Sequence, residues 1–376
     1  MRISDVKTYI VGNPWKNWTF VKLYTDEGLY GWGEATQHRA AKTAEANVLE
    51  MKRYYMGRDP FDVEGIWFEL QRANAAIKTI AAIDMACWDI IGKALGVPVH
   101  RIIGGRLRER VRAYANGWYQ AERTPEAFAE RARQVVDRGY TAMKFDPFGS
   151  AWDTMSRSEI ALSLDIVEAV RETVGPDVEL FIEAHRRFNP VSAVKIGRLL
   201  EKYDPGWYEE PVSSRQIDDL AAIGAQLTVP IAAGEGLHTK EEFEELLSNR
   251  AAQIIQPDPT SAGGITEMKK IAAVAQAHHV LLAPHNAQGP LCTAACLQID
   301  ASTSNFFIQE TFEDFATPLA SEIVEHRLQI EDGFIEVPER PGLGVELKEE
   351  VMAEYPYDES HFLDMYGSED WQKRNL

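Results

Sequence analysis

Six acidic or histidine side chains recur at near-regular intervals: Glu183, Glu209, Glu235, Asp258, His285 and Glu310, separated by 26, 26, 23, 27 and 25 residues. Each stands at the end of a short apolar run. Lys144 and Asp146 take the same place after an earlier run, and His185 follows Glu183 by two. Brought to one spot, the carboxylates of Glu183, Glu209 and Glu235 would repel by about 4 kcal/mol per pair at ~4 Å and an effective dielectric of about 20, so a cation belongs between them. All-oxygen ligation, with no cysteine in the set, favours Mg²⁺ over zinc. Asp258 is placed to hydrogen-bond His285, fixing its tautomer and raising its basicity, which makes His285 the candidate general base. Three carboxylates and one dication leave a net charge that Lys144 offsets, so a carboxylate substrate is admissible. The proton on the carbon beside that carboxylate then becomes removable, because the cation and nearby donors stabilise the enediolate. His285 takes this proton and His185 protonates a departing hydroxyl. Abstraction with departure is β-elimination, a dehydration. Glu310 is read as hydrogen-bonding a substrate oxygen or His285. Asn116, Trp118 and residues 14–18 are read as the surface that senses the substrate.

The spacing series requires elements that repeat. From Arg110 onward, eight apolar runs (VRAYA, TAMKF, VELFI, GWY, VPIAA, AQIIQ, VLLAP and NFFIQ) alternate with helical segments, the signature of βα units. Eight such strands predict an α/β fold with a (β/α) barrel, in which strand C-termini build the active site. Residues two apart on a strand share a side, so Lys144 is expected beside Asp146 and Glu183 beside His185. Thr124 with Pro125 opens one barrel helix, and Thr239 with Glu242 forms a capping box before another. Before the barrel, residues 1–111 read as an α+β unit. It has strands VKTYI, FVKLYT and LYGWGEA, a loop NPWKNW between the first two, and helices near 40–55 and over 77–95. The barrel spans 112–329, and the segment 330–376 returns to pack on the N-terminal unit. Glu210 reads as turning outward beside Glu209, His278 and His279 as surface and packing, and Cys292 and Cys296 as core.

The chain has 376 residues, 45% apolar and 26% charged, which is globular composition. With 39 basic and 58 acidic residues the formal charge is −19, which repels nucleic acid. No apolar run approaches the ~18 residues of a membrane span, and no targeting segment is visible. Three cysteines without a CxxC pair set a reducing cytoplasm as the expected compartment.

Taken together, certain segments are specific: AIDMACWDIIGK from Ala82, GVPV from Gly96, IIGG ending at Gly105, KFD from Lys144, EAH from Glu183, WYEEP from Trp207, AGE from Ala233, QPD from Gln256, AGGIT from Ala262 and LAPH from Leu282. With them nearly the whole chain resembles the enolase superfamily, in its mandelate racemase-like branch. That resemblance implies a modified TIM barrel with an α+β capping domain built from both chain ends. It also implies Mg²⁺ on Glu183, Glu209 and Glu235, a His285–Asp258 dyad, and self-association into a homo-oligomer. Within the branch, E-x-H at 183–185 and A-P-H-x-x-x-G-P at 283–290 look most like the aldonate dehydratases of galactonate and gluconate type. YANGWYQ from Tyr114 and KFDPFG from Lys144 resemble the gluconate type in particular. In these enzymes the counterpart of His185 is the acid, that of His285 the base and that of Glu310 a stabiliser of the intermediate, and the product is a 2-keto-3-deoxy sugar acid. Two departures matter. Glu183 stands where the family often has Asp, and Asp146 where the racemases carry a second lysine base, so Asp146 is read as accepting a substrate hydroxyl. The competing readings are epimerisation, racemisation or cycloisomerisation through the same enediolate, a Schiff-base aldolase through Lys144, and a barrel that binds sugar acids without turnover.

Overall fold

The structure, a computed structural model, describes residues 1–361. It opens with an antiparallel meander, β1 (Ile3–Asn13), β2 (Lys16–Thr25) and β3 (Tyr30–Glu34). The segment NPWKNW is not a loop, as its polarity suggested. Asn13 pairs with Lys16, leaving Pro14 and Trp15 as the whole turn. Lys16, Asn17 and Trp18 are instead buried strand residues. Helices α1 (Ala41–Glu50), α2 (Val63–Arg72) and α3 (Ile77–Leu95) complete the unit, and a short α4 (Val99–Ile102) leads out of it. Helix α3 has the predicted bounds and ends on Gly96 in the left-handed region. It lies directly on β3, where a Cβ at Gly31 or Gly33 would collide with the carbonyls of Ala86 or Ala82.

Eight parallel strands follow: β4 (Arg110–Ala115), β5 (Ala142–Phe145), β6 (Glu179–Glu183), β7 (Trp207–Glu209), β8 (Ile231–Ala233), β9 (Ile254–Ile255), β10 (Leu281–Leu282) and β11 (Gln309–Thr311). Neighbours pair in sequence order from β4 to β10, and β11 pairs with β4. The ring is carried from β10 to the last strand by Leu282, whose N–H donates to Asn305 and whose carbonyl accepts from Phe307, both within 2.9 Å. The last strand therefore runs further than NFFIQ suggested, and Glu310 lies within it. Helices α5 (Pro125–Asp137), α6 (Arg157–Val174), α7 (Pro190–Leu200), α8 (Ile217–Gly224), α9 (Lys240–Ser248), α10 (Ile265–Ala277) and α11 (Pro290–Ala301) intervene. Thr124 caps α5 as expected. At α9 only half of the box forms. Thr239 accepts from Glu242 N–H, but the Glu242 carboxylate takes the N–H of His238.

The barrel interior holds one small layer, Tyr114, Ala142, Phe181, Trp207, Ala232, Ile254, Ala283 and Ile308, with a member from every strand segment. Phe181 and Trp207 stack at 3.5 Å between centroids, and Tyr114 meets both edge-on. Phe181, Trp207 and Ile308 each precede a site carboxylate by two residues, so this layer is the floor beneath the site.

After α11 and β11 the chain divides its attention. A hairpin, β12 (Ile330–Glu331) and β13 (Phe334–Glu336), adds β13 antiparallel to Arg110–Arg112 of β4. This part of the expected return therefore docks on the barrel, because the exposed start of β4 offers a free edge. Only later residues reach the N-terminal unit. Glu349 accepts from Lys22 and from the Tyr9 hydroxyl, both at 2.6 Å, and the Tyr355 carbonyl accepts from Gly12. Residues 362–376 of the predicted returning segment lie outside the described residues. Among the described residues no helix is long and apolar enough to cross a membrane.

Candidate active site

Lys144 stands among three carboxylates. Its Nζ lies 2.6 Å from Glu209, 2.9 Å from Glu310 and 3.4 Å from Glu183, and none of the four side chains is more than 3% exposed. Burial opposes its charge, but Glu209 and Glu310 outweigh it and hold the ammonium well above its ordinary range. Glu209 is likewise driven down to about 2, against its burial, by Lys144, with Gln256 Nε2 and Trp207 Nε1 each donating to it at 2.8 Å. Burial and the charge of Glu209 push Glu183 well up. One lysine does not neutralise this group. Glu183, Glu209 and Glu235 each present an oxygen, all within 4.8 Å of one another. A hard cation fits both the donor chemistry and the unmet demand for positive charge.

Glu235 follows β8 and faces His285. Its Oε2 is 3.1 Å from His285 Nε2, and its other oxygen is paired with Arg186. His285 Nδ1 lies 2.9 Å from Asp258 Oδ2, so the predicted dyad forms. Asp258 is buried, which opposes its charge, but Lys78 and His285 hold it well below the usual carboxylate range. Glu310 is 4.0 Å from His285 Nε2 and accepts from Asn286 N–H and from Asn116 Nδ2, both at 2.7 Å.

His185 is oriented separately, its Nδ1 lying 2.6 Å from Asp146 Oδ2. Burial lowers its pKa, although Asp146 works against that. The expected strand alternation does not produce this arrangement, because β5 stops at Phe145 and β6 at Glu183. His185 and Arg186 then adopt left-handed φ of 48° and 62°. This turn swings His185 onto Asp146, so Asp146, fully buried and also paired with Arg187, faces His185 and not Lys144. Asn116 and Trp118, expected at the substrate, make protein contacts beside the site. Asn116 holds Glu310, and Trp118, 2% exposed, donates its indole N–H to the Lys144 carbonyl at 2.9 Å. Glu210 does not turn outward to water. It is fully buried, with φ of 41°, and accepts from Gly234 N–H at 2.9 Å and from Arg186 at 3.2 Å. Cys292 and Cys296 are buried thiols, as read.

Several residues escaped the sequence reading. Arg186 and Arg187 adjoin His185, and nothing in their spacing distinguished them from surface arginines. Gln288 donates to Asp258 Oδ2 at 2.9 Å. Lys16, read only within the 14–18 stretch as part of the surface that senses the substrate, donates to the Ala287 carbonyl from 271 residues away, a contact that no local pattern announces.

A barrel of eight parallel strands, covered by a unit drawn from the N-terminus and carrying acids at consecutive strand ends, puts this cluster at the mouth where barrel enzymes build their active sites. The family described as "Enolase C-terminal domain-like" matches residues 127–351, and the "Mandelate racemase / muconate lactonizing enzyme, N-terminal domain" matches residues 9–104. The chain belongs to this family, within the enolase superfamily. It is 35% identical over 370 residues to a D-gluconate/D-galactonate dehydratase of Picrophilus torridus, covering 95% of this chain and 94% of that one. To a D-galactonate dehydratase of Pectobacterium atrosepticum it is 35% identical, covering 94% of each. The crystal structure of a mandelate racemase/muconate lactonizing enzyme from Sulfitobacter sp. superposes with a TM-score of 0.90 at 32% identity, covering 95% of this chain and 96% of the other.

Proposed function

We propose that the protein is an Mg²⁺-dependent aldonate dehydratase of the gluconate or galactonate type, converting a sugar acid to its 2-keto-3-deoxy product and water. The observation that carries the reading is a pair of imidazoles, each aligned by its own carboxylate. His285 is held by Asp258 and His185 by Asp146. They stand after β10 and β6, four strands apart in a ring of eight, so they face each other across the mouth. Removing a single proton needs only one such group. Two, with the carboxylate group between them, suit removal of a proton from C2 and delivery of another to the hydroxyl leaving C3. The names of the relatives above favour the same reaction.

In this reading His285 Nε2 takes the C2 proton, the bond electrons pass into the C1–C2 unit, and the C3 hydroxyl departs as water with a proton from His185 Nε2. The resulting enol becomes the 2-keto acid. Lys144 balances charge on the substrate carboxylate, and Glu310, fixed by Asn116 and Asn286, lies beside the base where it can hydrogen-bond a substrate oxygen. Glu183, Glu209 and Glu235 would hold the cation, which when bound offsets the negative charge that builds on the substrate carboxylate. The unpaired, buried cysteines accord with a reducing cytoplasm.

The test is a panel of aldonates with Mg²⁺, scored for 2-keto-3-deoxy acids as semicarbazones and, in ²H₂O, for isotope incorporation at C2. Formation of such a product, abolished by chelator and restored by Mg²⁺, is expected. Isotope incorporation at C2 without product would favour epimerisation, and borohydride trapping of substrate on Lys144 would favour an aldolase.

A further inference from the structure

Asp258 has two oxygens with separate partners. Oδ2 lies 2.9 Å from His285 Nδ1 and accepts from Gln288 Nε2, also at 2.9 Å. Oδ1 accepts from Thr260 N–H at 2.7 Å, the Thr260 hydroxyl at 2.6 Å and Ser261 N–H at 3.2 Å. Two of these donors, the Gln288 amide and the Thr260 hydroxyl, are not donors by necessity. An amide turned over offers oxygen in place of NH₂, and a hydroxyl can rotate its proton elsewhere. Each is met on its far side by a lysine of the N-terminal unit. Lys16, at the start of β2, sets its Nζ 3.4 Å from Gln288 Oε1 and 2.6 Å from the Ala287 carbonyl. Lys78, in the first turn of α3, donates to Thr260 Oγ1 at 2.7 Å and to Ser261 Oγ at 2.9 Å.

An ammonium only donates. Lys16 therefore keeps the Gln288 oxygen toward itself and the NH₂ toward Asp258. Lys78 occupies the acceptor side of the Thr260 hydroxyl and sends its proton to Asp258. Donors on both oxygens favour the ionised form of Asp258, and an ionised carboxylate only accepts. His285 Nδ1 then donates to Asp258, and Nε2 is the nitrogen that faces Glu235 and the mouth. Lys16 is itself buried, and burial pushes its ammonium down to about 8 although Asp258 opposes this, so the contact is not a solvent-exposed ion pair of small effect.

We infer that Lys16 and Gln288, seconded by Lys78 through Thr260, are positioning residues through which the N-terminal unit fixes the tautomer of His285. This rests on His285 being the base of the proposed reaction.

The experiment compares Lys16→Met, Lys16→Arg, Gln288→Leu and Lys78→Met with the unaltered enzyme on an aldonate from the panel. Lys16→Met and Gln288→Leu are expected to lower kcat by about 10- to 100-fold, as loss of an outer partner of a functional histidine does, while KM and Mn²⁺ affinity stay within about threefold. The isotope effect with C2-deuterated substrate should rise, because C–H cleavage becomes more rate-limiting, and Lys16→Arg should recover most of the rate. A raised KM with unchanged kcat would make Lys16 a substrate contact and overturn the inference. ¹⁵N NMR of labelled histidines decides the same point without turnover. Nδ1 of His285 should be protonated in the unaltered protein, and a mixture of tautomers should appear in Lys16→Met and Gln288→Leu. An unchanged His285 signal in both variants refutes the positioning role even if no aldonate is turned over, whereas an inactive unaltered enzyme with the tautomer shift refutes only the reaction.

Discussion

At the level of single residues, the two imidazoles are proposed to have separable jobs. His285 lies beside Glu235 and Glu310, and His185 beside Asp146. Replacing His285 with Asn should abolish both dehydration and C2 isotope incorporation, a loss of at least about 10²- to 10⁴-fold. His185→Asn should lower dehydration by a similar factor yet leave incorporation at C2 detectable, since the proton it handles belongs to the leaving group. NMR of substrate in ²H₂O distinguishes the two, and equal loss of both signals in His185→Asn would assign that residue to the C2 proton. The spacing series made His285, Asp258 and the carboxylates legible because each is fixed by a strand end, whose position repeats with the βα unit. His185 could be listed but not placed, because the left-handed turn at 185–186 has no glycine to announce it. Asp146 was assigned to substrate for the same reason: its partner arrives through that turn and through Arg187, neither of which strand periodicity describes.

At the level of elements, the N-terminal unit supplies what two barrel helices lack. Helices α10 and α11 begin after glycines and have no side-chain cap of their own. Glu34 at the end of β3 accepts from Gly289 N–H at 2.7 Å and Cys292 N–H at 2.9 Å, at the start of α11. Asp84 of α3 accepts from Thr266 N–H at 3.2 Å, at the start of α10. Carboxylates suit helix N-termini, but burial dominates at Asp84 and raises its pKa from 3.8 to about 7. The folded state thus holds a proton there that the unfolded chain releases near pH 4. Stability from this group is present in full below that point and falls as pH rises toward 7, by up to ~4 kcal/mol. Asp84→Asn should therefore gain stability relative to the unaltered protein between pH 5 and pH 8, read from urea unfolding at each pH. A difference that does not change with pH would contradict the assignment. None of these contacts was legible in the sequence, since α3 was read correctly as a helix but its partner opens another helix some 180 residues on.

At the level of the whole molecule, a chain of formal charge −19 is proposed to take an anionic substrate. Local attraction at buried Lys144 is screened little by salt, whereas long-range repulsion is screened strongly. Raising ionic strength from about 0.01 to about 0.15 M shortens the screening length from ~30 to ~8 Å. The expected outcome is a kcat/KM that increases with KCl over this range, and a steady decrease would show that steering by local cations prevails. The barrel and the α+β unit were legible from the change of texture near Arg110. The hairpin that ties residues 330–336 to β4 was not, because apolar alternation marks a strand without naming its edge. The floor of the barrel has one further consequence, an optical one. The indole of Trp207 lies flat against Phe181 and gives its N–H to Glu209, so its emission should change when that carboxylate is drawn toward a cation. A fluorescence titration with Mn²⁺, read as the difference between the unaltered protein and Trp207→Phe, would follow loading of the centre with no substrate present.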